Sequence, residues 1–296
     1  NTKKPLGRDI ARKVATWADI VIEAYTPGVM PRLGLGYEDL KKIKPEIIMI
    51  SSSSRGQYGP FAKTPAFGHV AQYIAGFGHM TGWPDREPVG AYGPYTDFIT
   101  PWMVTATIIA ALDYRRRTGK GQYIDASAVE SSIHALETAI LDYTANGREQ
   151  VRAGNRLPYA APHGAFPCQG EDRWCVIAVF NDEEWASLCR VVGEPWVGDD
   201  RFATMAGRKR HEDELEELLG RWTINYSAEE VMVQLQNAGV AAGVVQNGKD
   251  MHEDAQLKHR NHFWHLEHAE SGRIAYSGPP IRFSKTACEL RPSPLL

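Results

Sequence analysis

Two short apolar runs constrain this chain more than anything else in it. Ile20-Val21-Ile22 lies between Asp19 and Glu23, and Ile47-Ile48-Met49-Ile50 follows Pro45. Neither run alternates apolar with polar residues, so neither fits a strand with one face in water. Continuous runs of this length, rich in β-branched residues, are strands buried on both faces, the habit of a parallel sheet. Parallel strands need crossover segments. Residues 6–17 carry Ile10, Val14 and Trp17 at helical spacing, and residues 37–44 read as a short helix stopped by Pro45. This strand–helix–strand rhythm predicts an α/β domain with a doubly wound sheet. Ligands of such sheets bind beyond the C-terminal strand ends. Here those ends are residues 23–28, with the Pro27-Gly28 turn, and residues 51–59, which open with Ser51-Ser52-Ser53-Ser54.

Residues 56–101 are rich in Gly, Pro and aromatics and read as an irregular stretch, of a length usually kept for a function. Residues 99–115 predict a long helix whose apolar face is too continuous for a surface element. A strand at 122–126 and an amphipathic helix at 129–145, stopped by Asn146-Gly147, complete the first half. The texture changes after residue 148, where Gly154-Asn155-Arg156-Leu157-Pro158 reads as a linker. A strand at 174–179, helices at 184–191, 208–222 and 228–238, and a strand at 241–245 then predict a small α+β domain. Ser227-Ala228-Glu229-Glu230 is a capping box for the last of those helices. The expected division is a large domain over 1–150, a small domain over 155–262 and a segment, 263–296, returning towards the large domain through strands around Ser277-Gly278-Pro279-Pro280. The chain starts at Asn1 and stops after Pro294-Leu295-Leu296, and both ends read as cut from something longer.

Bulk properties exclude several functions. The 33 basic and 36 acidic residues give a net charge of -3, with no excess of either sign to serve nucleic acid or an anionic membrane. The apolar residues 102–112 are too few to span a bilayer and run into Arg115-Arg116-Arg117. Cys168, Cys175, Cys189 and Cys288 form no C-x-x-C pair, which points to scattered thiols in a reducing cytoplasm. His259, His262, His265 and His268 recur every third residue in a polar segment near Gly272 and read as exposed surface, so no metal site is expected. Phosphate-loop, dinucleotide, zinc-protease and nucleophile-elbow signatures are absent from the sequence.

The most unusual local chemistry is Gly90-Ala91-Tyr92-Gly93-Pro94-Tyr95-Thr96-Asp97, which delivers one carboxylate ahead of the apolar helix. Such an acid serves either as a helix cap or as a nucleophile that attacks an activated acyl group. Spacing does not choose between them. A second constellation is basic: Lys3, Lys4, Arg32 and Lys63 lie near the expected crevice in sequence order, either as solvated surface charges or as contacts for a nucleotide diphosphate.

A longer pattern runs through the whole chain. It includes Ala18-Asp19-Ile20-Val21-Ile22-Glu23, Pro27-Gly28-Val29-Met30, Arg32-Leu33-Gly34-Leu35-Gly36-Tyr37, Gly56-Gln57-Tyr58-Gly59-Pro60, His69-Val70-Ala71-Gln72, Thr81-Gly82 and Arg117-Thr118-Gly119-Lys120-Gly121-Gln122. It continues in Gly154-Asn155-Arg156, Asp200-Arg201-Phe202-Ala203-Thr204, Ala238-Gly239-Val240-Ala241-Ala242-Gly243 and the final Pro294-Leu295-Leu296. In this order the segments resemble the class III CoA-transferases, the carnitine CoA-transferase and formyl-CoA transferase group. The resemblance implies a Rossmann-like large domain, a small α+β domain and two chains interlocked as a homodimer, with an opening strand–helix unit and a C-terminal helix beyond this chain. It implies coenzyme A as a substrate, Asp97 as the catalytic nucleophile, and CoA contacts at Lys3, at Ala24, Tyr25 and Thr26, at Arg32, and at Pro65, Ala66, Phe67 and Gly68. No metal is implied.

Two departures from the family pattern stand out. Family members often carry an acid where Gly68 stands, beside Phe67. The glycine-rich small-domain loop of formyl-CoA transferase has no counterpart, which argues against an oxalate or formate specialist. The aromatic loop over residues 92–98 weakly resembles members acting on aryl-substituted dicarboxylates such as benzylsuccinate. Two other readings keep the fold: an acyl-CoA racemase or isomerase using His69, His79 and Glu130, and a catalytically silent subunit of a hetero-oligomeric CoA-transferase.

Overall fold

The computed structural model describes residues 1–295. Leu296, part of the C-terminal pattern, lies outside them. The chain divides into two compact units, Asn1–Gly154 and Asn155–Leu296.

The first unit opens with α1 (Pro5–Trp17), whose first position is a proline, where a missing N–H costs nothing. Then come β1 (Ile20–Glu23), α2 (Val29–Arg32), α3 (Tyr37–Ile43), β2 (Ile48–Ser53), α4 (Gly68–Ala75), α5 (Phe77–Met80), α6 (Tyr95–Thr118), β3 (Gln122–Ser127), α7 (Ala128–Ile133) and α8 (Glu137–Asn146). β2 is the central strand and runs parallel to both neighbours, with Ile48 opposite Ile20 on one side and Gln122 on the other. Side chains alternate across a strand, so β2 serves two cores. Ile47 and Met49 pack with Ala15 of α1 and Leu40 of α3. Ile48 and Ile50 pack with Ala111, Val104 and Ile108 of α6. The sheet is therefore parallel, with helices on both faces. Alternation carries Ser52 onto the face of Ile50, towards α6.

Four sequence expectations change here. β2 continues through Ser53, because β3 extends alongside it and Ser53 pairs with Ser127; backbone pairing outweighs the polarity of the serines. The stretch 56–101 is not irregular throughout. α4 forms inside it because Ala71 and Ala75 pack with Phe77 and Val129, and Gly76, left-handed at φ 106°, closes it. The helix expected at 129–145 is broken into α7, a single 3-10 turn (His134–Leu136) and α8. Finally, α6 begins at Tyr95 rather than Ile99, and it is not a buried helix: Phe98, Trp102 and Ile109 are 61–64% exposed. One face meets β2, α4 and α7 also pack on α6, and among the described residues nothing covers Phe98, Trp102 and Ile109. Pro101 sits inside α6. It has no N–H, so it cannot bond the Asp97 carbonyl one turn earlier.

The second unit contains β4 (His163–Pro167), β5 (Trp174–Ala178), α9 (Asp182–Val192), α10 (Met205–Arg210), α11 (Glu212–Thr223), α12 (Ala228–Asn237), β6 (Ala241–Val244), α13 (Gly248–Glu253), α14 (Ala255–His259), β7 (Phe263–His268) and β8 (Gly272–Ser277). β4, β5 and β6 form an antiparallel sheet, and β7 and β8 a separate hairpin. One core joins Ile177 of β5 to Leu188, Leu215, Leu219 and Val231 of the helices. The helix expected at 208–222 is two helices. Thr204 caps the first through Gly207 N–H, and Arg208 turns inward, fully buried. Among the described residues no helix is long and apolar enough to cross a membrane, and no group of His, Cys, Asp or Glu could hold a metal ion.

Candidate active site

β1 and β2 end on the same side of the sheet, and a cavity of about 480 Å³ opens beside those ends. Ile22 and Ala24 line it from β1 and the residue after it. Ser52, Ser53 and Ser54 line it from β2 and its exit. Thr100, Pro101, Val104, Thr105 and Ile108 of α6 make an apolar wall with two hydroxyls, and Ala66, Phe67 and Gly68 close it at the start of α4. Asp97 is its one charged lining residue; no Lys, Arg or His lines it.

Asp97 stands in the first turn of α6, after the Pro94 cap position. No side chain caps this helix, so the cap reading of Asp97 gives way: its carboxylate faces the cavity instead. Thr96 Oγ1 lies 3.4 Å from Asp97 Oδ1. Thr96 is completely buried, and its hydroxyl makes a shorter bond, 3.1 Å, to the Gly68 carbonyl. Gln72 is also buried and donates Nε2–H to the Gly93 carbonyl at 3.1 Å, tying the Gly/Pro/Tyr loop to α4.

Of the residues expected at the site, Asp97, Ala24, Ala66, Phe67 and Gly68 share this cavity. Pro65 is exposed just ahead of it. Tyr25 and Thr26 are exposed where the chain leaves β1, and the Tyr25 N–H donates to Glu23 Oε2 at 2.7 Å. Arg32 is exposed at the end of α2, its guanidinium folded back near Gly28. Lys3 is exposed ahead of α1. None of these five, Pro65, Tyr25, Thr26, Arg32 and Lys3, lines the cavity. The residues offered for proton abstraction are not brought together: His79 lines a groove with Leu136 and Tyr143, Glu130 one with Arg55 and Phe61, and His69 neither these nor the Asp97 cavity.

The sequence placed the serine wall at the ligand crevice without giving any one serine a role, and Ser52, Ser53 and Ser54 do line the cavity. Ser53 Oγ and Ser54 Oγ are buried without a hydrogen-bond partner in the chain. Four consecutive serines at the exit of a buried strand were the available signal.

The model of CoA-transferase family III matches residues 1–296. The chain belongs to CoA-transferase family III. Succinyl-CoA–D-citramalate CoA-transferase of Chloroflexus aurantiacus is 31% identical over 96% of this chain and 71% of its own length. Acetyl-CoA:oxalate CoA-transferase of Acetobacter aceti is 34% identical over 96% of this chain and 72% of its own. A crystal structure of a CaiB/BaiF family protein from Brucella suis superposes with a TM-score of 0.87, at 31% identity, covering 96% of this chain and 74% of that one. The chain is accordingly a transferase that moves coenzyme A from an acyl-CoA to a carboxylic acid.

Proposed function

We propose that this CoA-transferase works through an aspartyl-CoA thioester on Asp97. The observation that carries the reading is the placing of a lone carboxylate, without a cationic neighbour, in an apolar cavity at the strand ends. A carboxylate held by an ion pair is a weaker nucleophile; this one has only a long contact to Thr96. The Asp97 carboxylate attacks the thioester carbonyl, the C–S bond breaks, and CoA thiolate leaves an acyl–aspartyl anhydride. The thiolate then attacks the Asp97 carbonyl, freeing the donor acid and forming the aspartyl thioester. The acceptor carboxylate runs the same two steps in reverse. No proton, electron or ATP is consumed, because each bond broken is matched by one of similar energy.

The nucleotide end of CoA would lie over Ala24, Tyr25 and Thr26, with Lys3 and Arg32 supplying positive charge for its phosphates. The acyl end would lie on Ala66, Phe67 and Gly68, and Pro65 would flank it. Dicarboxylic acids are the favoured acceptors, since relatives 30–34% identical are named for oxalate, citramalate and glutarate. The exposed apolar stripe of α1, from Leu6 to Trp17, and the exposed side chains of α6 support an interface with a second copy, read as an interlocked homodimer; a Rossmann-like large domain and a cytoplasmic location belong to the same proposal. The division into a large domain, a small domain and a returning segment, 263–296, is part of the same proposal.

The test is Asp97→Asn in the full chain. Wild type incubated with an acyl-CoA and then hydroxylamine should carry a hydroxamate at Asp97 by mass spectrometry, and Asp97→Asn should carry none and lose at least about 10³ in kcat. Normal turnover by that variant would end the proposal.

A further inference from the structure

The turn that carries Asp97 has little helical support of its own. No side chain caps it, and Pro101 deprives it of the hydrogen bond that would tie the Asp97 carbonyl to the next turn. Its position has to come from the side.

Two contacts supply it, and both come from Gly68. The first is the 3.1 Å bond from Thr96 Oγ1 to the Gly68 carbonyl, buried at both ends. The second is steric. A Cβ built on Gly68 would stand 2.6 Å from Asp97 Oδ2 and 2.7 Å from Asp97 Cγ, and it would also overlap Pro94. The carboxylate therefore rests against the bare Cα of Gly68. Backbone conformation does not call for glycine here, since Gly68 is not among the glycines with positive φ. At the first position of α4 helix propensity gives glycine no advantage. Room for Pro94 and for the carboxylate is the reason left.

We propose that Gly68 and Thr96 are a positioning pair for the Asp97 carboxylate: Gly68, lacking a Cβ, leaves the space the carboxylate occupies, and the hydroxyl of the adjacent Thr96 anchors that turn by donating to the Gly68 carbonyl. The proposal rests on Asp97 as nucleophile. Its chemical advantage is that the lone pairs stay free. A strong hydrogen bond or an ion pair would also fix the group, but would stabilise the charged ground state that has to react. A displacement of about 1 Å at a reacting group costs about 10²-fold in rate.

The experiment follows exchange of isotope-labelled succinate into succinyl-CoA, with hydroxylamine trapping at residue 97, in wild type, Gly68→Ala, Thr96→Val, Thr96→Ser and Asp97→Asn. Gly68→Ala and Thr96→Val should lower kcat at least 10-fold, with KM for succinyl-CoA within about twofold. Thr96→Ser keeps the hydroxyl and should recover most of the rate. Gly68→Ala has to displace Pro94 as well as the carboxylate and should melt lower than wild type, so the comparison of Thr96→Val with Thr96→Ser is the one that separates loss of rate from loss of fold. Wild-type kcat in Gly68→Ala, or a Thr96→Val protein that melts lower but turns over normally, would overturn the positioning pair and leave Asp97 in place. Exchange by Asp97→Asn would overturn the nucleophile itself.

Discussion

The main-chain N–H of Gln57 donates to both carboxylate oxygens of Asp125, at 3.0 Å each, across 68 positions of sequence. Asp125 belongs to β3 and Gln57 to the segment leaving β2. Gly56, left-handed at φ 79°, makes the bend that lets the amide face the acid. The bond ties the exit of the serine wall to the neighbouring strand. Asp125→Ala should cost about 1–3 kcal/mol, the usual penalty for stranding a partly buried donor. It should also raise KM for acyl-CoA more than it lowers kcat, while Asp125→Asn keeps one acceptor and should lose less of both. Urea unfolding with steady-state kinetics checks this, and an Asp125→Ala protein of wild-type stability would refute it.

Arg208 is the largest fully buried side chain of the second unit. Its guanidinium donates to the Ala161 and Phe202 carbonyls and to Asp182 Oδ1, at 2.9, 3.1 and 2.8 Å, and lies 5.0 Å from the Trp185 ring centroid. Arg208→Ala strands the Ala161 and Phe202 carbonyls and should cost about 1–3 kcal/mol for each buried acceptor left unpaired, the Asp182 partner being exposed. Arg208→Lys should rescue poorly, because one ammonium cannot reproduce a planar fork aimed at three acceptors. Trp185 fluorescence during urea unfolding reports both variants; a lysine variant as stable as wild type would show that charge alone matters.

Burial pushes the Cys175 thiol up to about 12, and raises Cys168 and Cys189 in the same direction. A thiol that holds its proton more tightly when folded contributes stability present below the unfolded thiol pKa, about 8.5. That contribution is lost as pH rises from there towards about 12. Cys175→Ala removes the titration, so its melting temperature should fall less steeply than that of wild type between pH 8.5 and 10.5. Parallel curves would contradict this. At neutral pH the exposed Cys288 should be the thiol that reacts first with an aromatic disulfide.

Gly220 lies inside α11, and a Cβ there would meet Pro167 at 3.6 Å, an ordinary contact. Gly220→Ala should therefore stabilise the protein by about 0.5–1 kcal/mol without changing kcat. Thermal melting and kinetics on one preparation decide it, and a lowered midpoint would mean that the space beside Pro167 is smaller than described.

The features readable from sequence were those fixed by local chemistry. β1 and β2 are legible as strands because continuous β-branched runs have few other uses, but only β2 is buried on both faces as expected: β1 is an edge strand whose Ile22 is 58% exposed. The Ser227 capping box is legible because the reciprocal bonds with Glu230 need only four consecutive residues. What escaped depends on distant partners. α4 opens with a glycine, and its existence rests on packing against Phe77 and Val129. β4 carries Gly164 and Pro167, poor strand residues, and is held by pairing with β5. A buried Arg208 contradicts the default for arginine, and only the fold brings Asp182 and Ala161 to it. Asp97 was singled out by local composition and given a role by family resemblance. Neither could show that its carboxylate leans on a residue of another helix.

Pro101 has a consequence for how this site comes apart. Protection of main-chain amides from solvent exchange in α6 depends on bonds made one turn back, and the chain has no such bond at Pro101. The turn at 95–98 thus has one main-chain bond fewer to the rest of the helix and depends on its side contacts. It can open and reclose as a local event while the residues packed on β2 stay folded. An amide-exchange map should show a step in protection at Pro101, with the reactive carboxylate on the labile side of it.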